Sequence, residues 1–268
     1  KNLIKKKMKI AVCLYGLVGG TSGRDGKGQT LDPKESFISY KKNILKNNDV
    51  DFFLHCWDKD YEKRIVEIYS PKKYLFEDRV DFSHISYKDY LIDHIDSYKP
   101  LFLANPQKNV SQEILTPLAQ RSHSRWLSAK KSINLLKSYM EETKTKYSLV
   151  IHLRFDIYFN KNIFINKKFL NQFSCVRRIK DNDQAIDDLI FISSPEQAFK
   201  FSKLYDHIFE YSIRPPFAAM QHLNKMHVKP KYLLNKEDFT LMRYKKETNF
   251  KSKIKINLKR ILSKLRNL

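Results

Sequence analysis

The sequence predicts an α/β domain: a mostly parallel sheet flanked by helices, followed by a basic helix at the C-terminus. Three observations carry this. Continuous apolar runs of strand length recur along the chain. Helical patterns with N-terminal caps lie between them. The first apolar run empties into "GLVGGTSGRDGKG" (16–28), which holds all six glycines of the 268-residue chain. Strand, loop and helix in that order suit parallel strands joined by crossovers.

"MKIAVCLY" (8–15) is a buried strand by its unbroken apolar content. "DPKESFISYKKNIL" (32–45) is a helix, with Asp32 placed to cap it and Pro33 in its first turn. "DVDFFLHCW" (49–57) gives a second strand, "YEKRIVEIY" (61–69) a short helix and "KKYLFE" (72–77) a third strand. Residues 79–112 are aromatic and irregular. The stretch from Ser111 to Lys144 is one long helix or a broken pair, with Pro117 near its start. "YSLVIHLRFDIYF" (147–159) and "DDLIFIS" (187–193) are buried strands, and residues 194–211 form a helix with Ser194 as cap and Pro195 in its first turn. Neither a repeat nor a low-complexity linker divides the chain, so residues 8–243 are expected to form a single domain and 244–268 a basic amphipathic segment.

With 42% hydrophobic and 13% aromatic residues, the composition is that of a globular chain. Its longest apolar stretch falls short of the roughly 20 residues that cross a bilayer, and its start does not resemble a signal peptide; a cytoplasmic location is expected. The chain opens on Lys1, with Met8 as a candidate natural start. Cys13, Cys56 and Cys175 form no CxxC and are expected as reduced, buried thiols.

The net charge of +22 is concentrated at the ends. Residues 1–10 hold five lysines, residues 251–268 hold seven Lys or Arg, and neither stretch holds an acid. Together they carry more than half of the excess. In the second stretch Ile254, Leu258, Ile261, Leu262, Leu265 and Leu268 make a helical apolar stripe opposite the cations. Two readings stand for it: a peripheral contact with an anionic membrane surface, or a helix that caps the core. No helix-turn-helix, zinc-finger or RRM pattern is present, so nucleic acid is not expected as a partner.

In parallel sheets, ligands bind outside the carboxyl ends of the strands. That rule selects the glycine loop, the "HCWDKD" that follows the second strand, and Arg154 and Asp156 near the end of the fourth. No register of the glycines gives GxGxxG. Gly26-Lys27 has Thr21 five residues before it and Gly28 after it, so a P-loop fails as well. What remains is a loop whose N–H groups, with Arg24 and Lys27, suit a phosphate-bearing ligand, against a plain surface excursion. Arg154 and Asp156 alternate with Leu153 and Phe155 and are expected on one face of the strand. A structural ion pair is one account of them, and a phosphate-binding guanidinium beside a ligand or metal carboxylate is the other. Asp181 and Asp183 form a DxD, and Asp187 and Asp188 precede the next strand. The "RSHSRW" stretch (121–126) opens the long helix with Arg121 and Arg125.

"MKIAVCLYG", "NILKNNDVDFFLHCWD", "YSLVIHLRFDIYF" and "DDLIFISSPEQAFKFSKLYD" together resemble the successive landmarks of a family of bacterial capsule and lipo-oligosaccharide glycosyltransferases with a GT-A-like, Rossmann-related fold. "HLRFD" stands where many members have "RxRPD". The resemblance implies sugar transfer from a nucleotide-activated donor to a glycan or lipid-linked acceptor at the inner face of the cytoplasmic membrane, with residues 251–268 as the peripheral contact. It implies donor-binding roles for Tyr15, Gly16, Gly19, Gly20, Arg24, Lys27, His55, Trp57, Asp58 and Arg154, and Arg121, Arg125 and Lys130 join Arg154 as donor-binding cations able to neutralise a leaving diphosphate in place of a metal. Asp156 and Asp188 are the implied catalytic carboxylates, Asp188 facing the acceptor. Asp156 is also the candidate ligand for Mn2+ or Mg2+, although Arg154-Phe155-Asp156 replaces the family's metal-holding DxD. The long glycine loop is similar to that of capsule-cluster proteins that transfer O-methyl phosphoramidate from a CDP-activated donor, which stays open as an alternative.

Overall fold

The computed structural model describes residues 7–18, 32–46, 48–90, 112–178 and 184–242. Their strands form a seven-stranded sheet and a two-stranded ribbon. The sheet strands are β1 (Lys9–Gly16), β2 (Asp49–Cys56), β3 (Lys73–Phe76), β4 (Leu149–Arg154), β6 (Ser174–Arg177), β7 (Ile186–Ser193) and β8 (Lys231–Leu234), in the order β3-β2-β1-β4-β7-β6-β8. The first four in that order run parallel, β7 is antiparallel to both its neighbours, and β6 and β8 are parallel to each other. Strands β5 (Ile157–Phe159) and β9 (Phe239–Leu241) pair antiparallel as the separate ribbon.

Helices α1 (Pro33–Asn43), α2 (Glu62–Tyr69), α3 (Gln112–Thr143), α4 (Pro195–Ser202) and α5 (Pro215–Lys225) flank the sheet. Alternation along β1 shows how the layers are assigned. Ile10, Val12 and Leu14 pack with Tyr40, Ile44 and Ile65 from α1 and α2 or their edges, together with Leu54 and Ile151. On the opposite face the small Ala11 and Cys13 let α3 lie close, through Ile133 and Leu136. As expected, Asp32 caps α1 by accepting from the Lys34 N–H at 2.9 Å, and Ser194 caps α4.

Several expectations are sharpened or corrected. The stretch after Ser111 is a single helix that runs through Pro117. The expected strand 147–159 is broken: β4 ends at Arg154, Phe155 and Asp156 turn, and β5 leaves for the ribbon. The Tyr40 hydroxyl stabilises this break by reaching the Arg154 and Phe155 carbonyls, at 2.8 and 3.1 Å. The expected helix 194–211 is α-helical only to Ser202. It continues as 3-10 turns (Lys203–Glu210) with a kink at His207. The DxD at Asp181 and Asp183, Gly19, Gly20, Arg24 and Lys27 of the glycine loop, and the basic segment 251–268 lie outside the described residues. Cys13, Cys56 and Cys175 are free and buried. Among the described residues no helix is long and apolar enough to cross a membrane.

Candidate functional site

The chain passes from β1 to β2 to β3 on one side and places β4 on the other side of β1. The strand order therefore reverses between β1 and β4, and this switch point defines the crevice at their carboxyl ends, the place where α/β sheets take ligands. Tyr15 is the register partner of His55 on β2 and of Arg154 on β4. One row across three strands thus carries a phenol, an imidazole and a guanidinium. Because β7 runs antiparallel, its first residues, Asp187 and Asp188, lie at this same edge.

Two guanidinium–carboxylate pairs occupy the crevice. Arg154 donates from Nε to Asp156 Oδ1 at 2.9 Å and from Nη2 to Oδ2. Asp156 is 2% exposed. Burial opposes the charge on Arg154, but Asp156, Tyr15 and Asp188 together outweigh it and push the guanidinium above its ordinary range. Arg125, from α3, lies 2.7 Å from Asp188 Oδ2 and also donates to the Asp188 carbonyl and, at 3.1 Å, to the Tyr15 hydroxyl. Tyr15 is buried, and its hydroxyl donates to the Asp188 carbonyl at 3.2 Å. Behind Asp188, Asp187 accepts from Lys236 at 2.8 Å. Burial and the neighbouring Asp188 charge raise the Asp187 carboxyl.

Both oxygens of Asp156 face Arg154. A divalent cation there would have to displace a guanidinium, so the residues present do not fit Mn2+ or Mg2+ at Asp156. Among the described residues no three His, Cys, Asp or Glu side chains gather as a metal set.

The other expected donor residues are placed differently. Gly16 takes a left-handed φ of +102°, and its N–H donates to Ser128 Oγ at 2.8 Å. Its carbonyl accepts from the Trp57 N–H at 3.1 Å. Asp58 accepts the Val18 N–H at 2.8 Å and has Arg79 at 3.7 Å, so it clamps the exit from β1. Trp57 is 4% exposed. Its Nε1–H donates to the Ser124 carbonyl at 3.2 Å, its edge meets His55, and Lys131 covers its ring, an arrangement of packing rather than of a ligand platform. Arg121 lies on the exposed side of α3 and donates to the Pro117 carbonyl at 3.1 Å. Lys130 pairs with Asp206, on the 3-10 turns that follow α4.

His55 is fully buried between Ser128 Oγ, 2.7 Å from Nδ1, and Glu77 Oε1, 3.0 Å from Nε2. Burial pushes its pKa down to about 4, so the ring is neutral at pH 7. Glu77 also pairs with Lys131. Burial works to raise the Glu77 carboxyl, and the Lys131 and His55 hydrogen bonds overcome it and hold the group below its usual range. Ser128 and Glu77 were not among the expected residues. The signal in the sequence was faint: serines at 122, 128 and 132 occupy fully buried positions of α3 that an amphipathic pattern fills with apolar side chains.

No family model matches this sequence and no curated protein matches it.

Proposed function

We propose that the β1–β4 crevice binds the diphosphate of a nucleotide-activated donor, and that the protein transfers the donor's sugar to a hydroxyl of a bacterial surface polysaccharide in a GT-A-like domain. The observation that carries this is the pairing at the switch point: Arg154 and Arg125 stand at the ends of β4 and α3's facing turn, each held by its own carboxylate. Guanidinium groups recognise phosphate oxygens bidentately and neutralise charge that builds on a leaving diphosphate. In the proposed reaction the bond from the sugar to the donor phosphate breaks and the acceptor oxygen bonds to the same carbon. Arg125 turns from Asp188 to the diphosphate, and the released Asp188 takes the acceptor proton if the transfer inverts. Peripheral attachment to the inner face of the membrane through residues 251–268 belongs to the same proposal and rests on their sequence pattern.

Calorimetric titration with UDP, GDP, CDP and CMP, each with and without Mn2+, tests the reading. One nucleoside diphosphate is expected to bind without metal. Arg154→Ala is expected to weaken it at least tenfold, the scale of one lost charge-assisted contact. Asp156→Asn, which removes the competing charge, is expected to bind the nucleotide at least as tightly as the wild type. Strict dependence on Mn2+, abolished by Asp156→Asn, would return Asp156 to a metal-ligand role. Release of CMP from a CDP-linked donor would instead assign phosphoramidate or phosphoryl transfer.

A further inference from the structure

Hydrogen bonds connect four elements beside the crevice. The Gly16 N–H, where β1 ends, donates to Ser128 Oγ on α3; Ser128 meets His55 Nδ1 on β2; His55 Nε2 meets Glu77 just after β3; and Glu77 meets Lys131, again on α3. The directions are fixed by the inventory of protons. An ionised Glu77 only accepts, so His55 donates from Nε2, and a neutral ring then leaves Nδ1 to accept the one Ser128 hydroxyl proton. Ser128 in turn accepts from Gly16. Every member of the series is satisfied.

Ser, His and Glu in series also suggest a nucleophile with its base. The surroundings argue against that: Ser128 and His55 are both 0% exposed, and the Gly16 N–H is already bonded to the oxygen that would attack. A buried hydroxyl in that position holds the backbone rather than meeting a substrate. The backbone it holds is the left-handed residue at the mouth of the crevice, one position after Tyr15.

We propose that Ser128, His55 and Glu77 are positioning residues that lock the β1 exit at Gly16, and so set the place of Tyr15 and its partner Arg125 for an anionic ligand. Identification of that ligand as a donor diphosphate rests on the function proposed above. The lock itself does not. Without the Ser128 hydroxyl, Gly16 would lose its acceptor and the left-handed turn would be held from the β2 side alone.

The test uses the full chain, with inorganic pyrophosphate as probe. Gly16 amide exchange and the His55 ring-nitrogen shifts are followed by NMR, and affinity is measured by calorimetry. Wild-type His55 is expected to show a single neutral tautomer protonated on Nε2. Ser128→Ala is expected to speed Gly16 exchange about tenfold and to weaken pyrophosphate about tenfold, while the Nε2 tautomer, which Glu77 holds, persists. Ser128→Thr, which keeps the hydroxyl, restores both. Glu77→Leu, at a partly exposed site, is expected to act in the same direction on exchange and affinity and, unlike Ser128→Ala, to remove the single-tautomer signature. Unchanged Gly16 exchange in both disrupting variants would overturn the lock. Faster exchange with unaltered affinity would reduce the residues to a structural role and overturn the positioning. If the wild-type protein binds no pyrophosphate, the donor-site reading falls, and the exchange and tautomer measurements still decide the lock.

Discussion

At residue scale, Asp156 illustrates how a buried charge depends on its partner. Its carboxylate is nearly inaccessible and is matched by a bidentate guanidinium, so removing it alone leaves Arg154 unpaired in a desolvated place. Asp156→Ala is therefore expected to cost about 3 kcal/mol in urea unfolding, the lower end for breaking a buried pair because Arg154 keeps some solvent contact. The double variant Arg154→Met with Asp156→Leu should recover most of that stability and bind nucleotide at least tenfold more weakly than the wild type. Equal destabilisation in single and double variants would show that packing, rather than the uncompensated charge, sets the cost. The sequence displayed these two charges inside an apolar run, which marked them as unusual. It did not display their geometry, because spacing of two residues implies a shared strand face only if the strand continues. Here the chain turns at Phe155, and the two side chains close on one another instead of projecting together.

At element scale, the break after β4 shows which features of a fold local pattern can and cannot carry. Residues 147–159 read as one strand because every position is compatible with burial. What divides them is tertiary: Ser39 and Asn43 of α1 hold the peptide of Phe159, Ser39 accepting its N–H at 2.6 Å and Asn43 donating to its carbonyl at 2.8 Å. Those contacts span more than a hundred residues of sequence and leave no trace in periodicity. Strands β1, β2 and β4 were legible because their inner residues are buried on both faces and read as apolar runs, and the short edge strand β3 was legible from its apolar residues alone. Strands β6, β8 and β9 were not legible, being three or four residues long and defined by their neighbours. Ser39→Ala is expected to destabilise the protein by about 1–3 kcal/mol, the cost of leaving a buried N–H without an acceptor. Hydrogen exchange should quicken first in β5 and β9, whose ribbon α1 secures. Uniform acceleration across the seven-stranded sheet would mean that the ribbon is not a separately docked unit.

At the scale of the whole molecule, four buried histidines tie stability to pH. Burial is the leading cause at each: it lowers His55, His123 and His222 to about 4 and His152 to about 3. Their free-chain value is near 6.5. Above that pH both folded and unfolded chains hold them neutral, and they contribute no slope. Between 6.5 and about 4 the unfolded chain binds protons that the folded chain refuses, so stability falls as the solution is acidified. Each histidine contributes at most about 1.4 kcal/mol per pH unit in that window. The carboxylates held low by cationic partners, Glu77 among them, also withdraw stability on acidification, but only as pH approaches the ordinary carboxylate range. Onset therefore separates the two causes. Urea midpoints measured from pH 8 to 5 are expected to be flat above about 7 and to decline steeply from about 6.5. His222→Gln, at a site where the Tyr211 hydroxyl lies 2.9 Å from Nδ1 and the Lys200 carbonyl 3.1 Å from Nε2, should lower the proton uptake on unfolding by about one. A midpoint that stays level to pH 5 would mean that these rings take up protons in the folded state, and that the interior around α3 admits water.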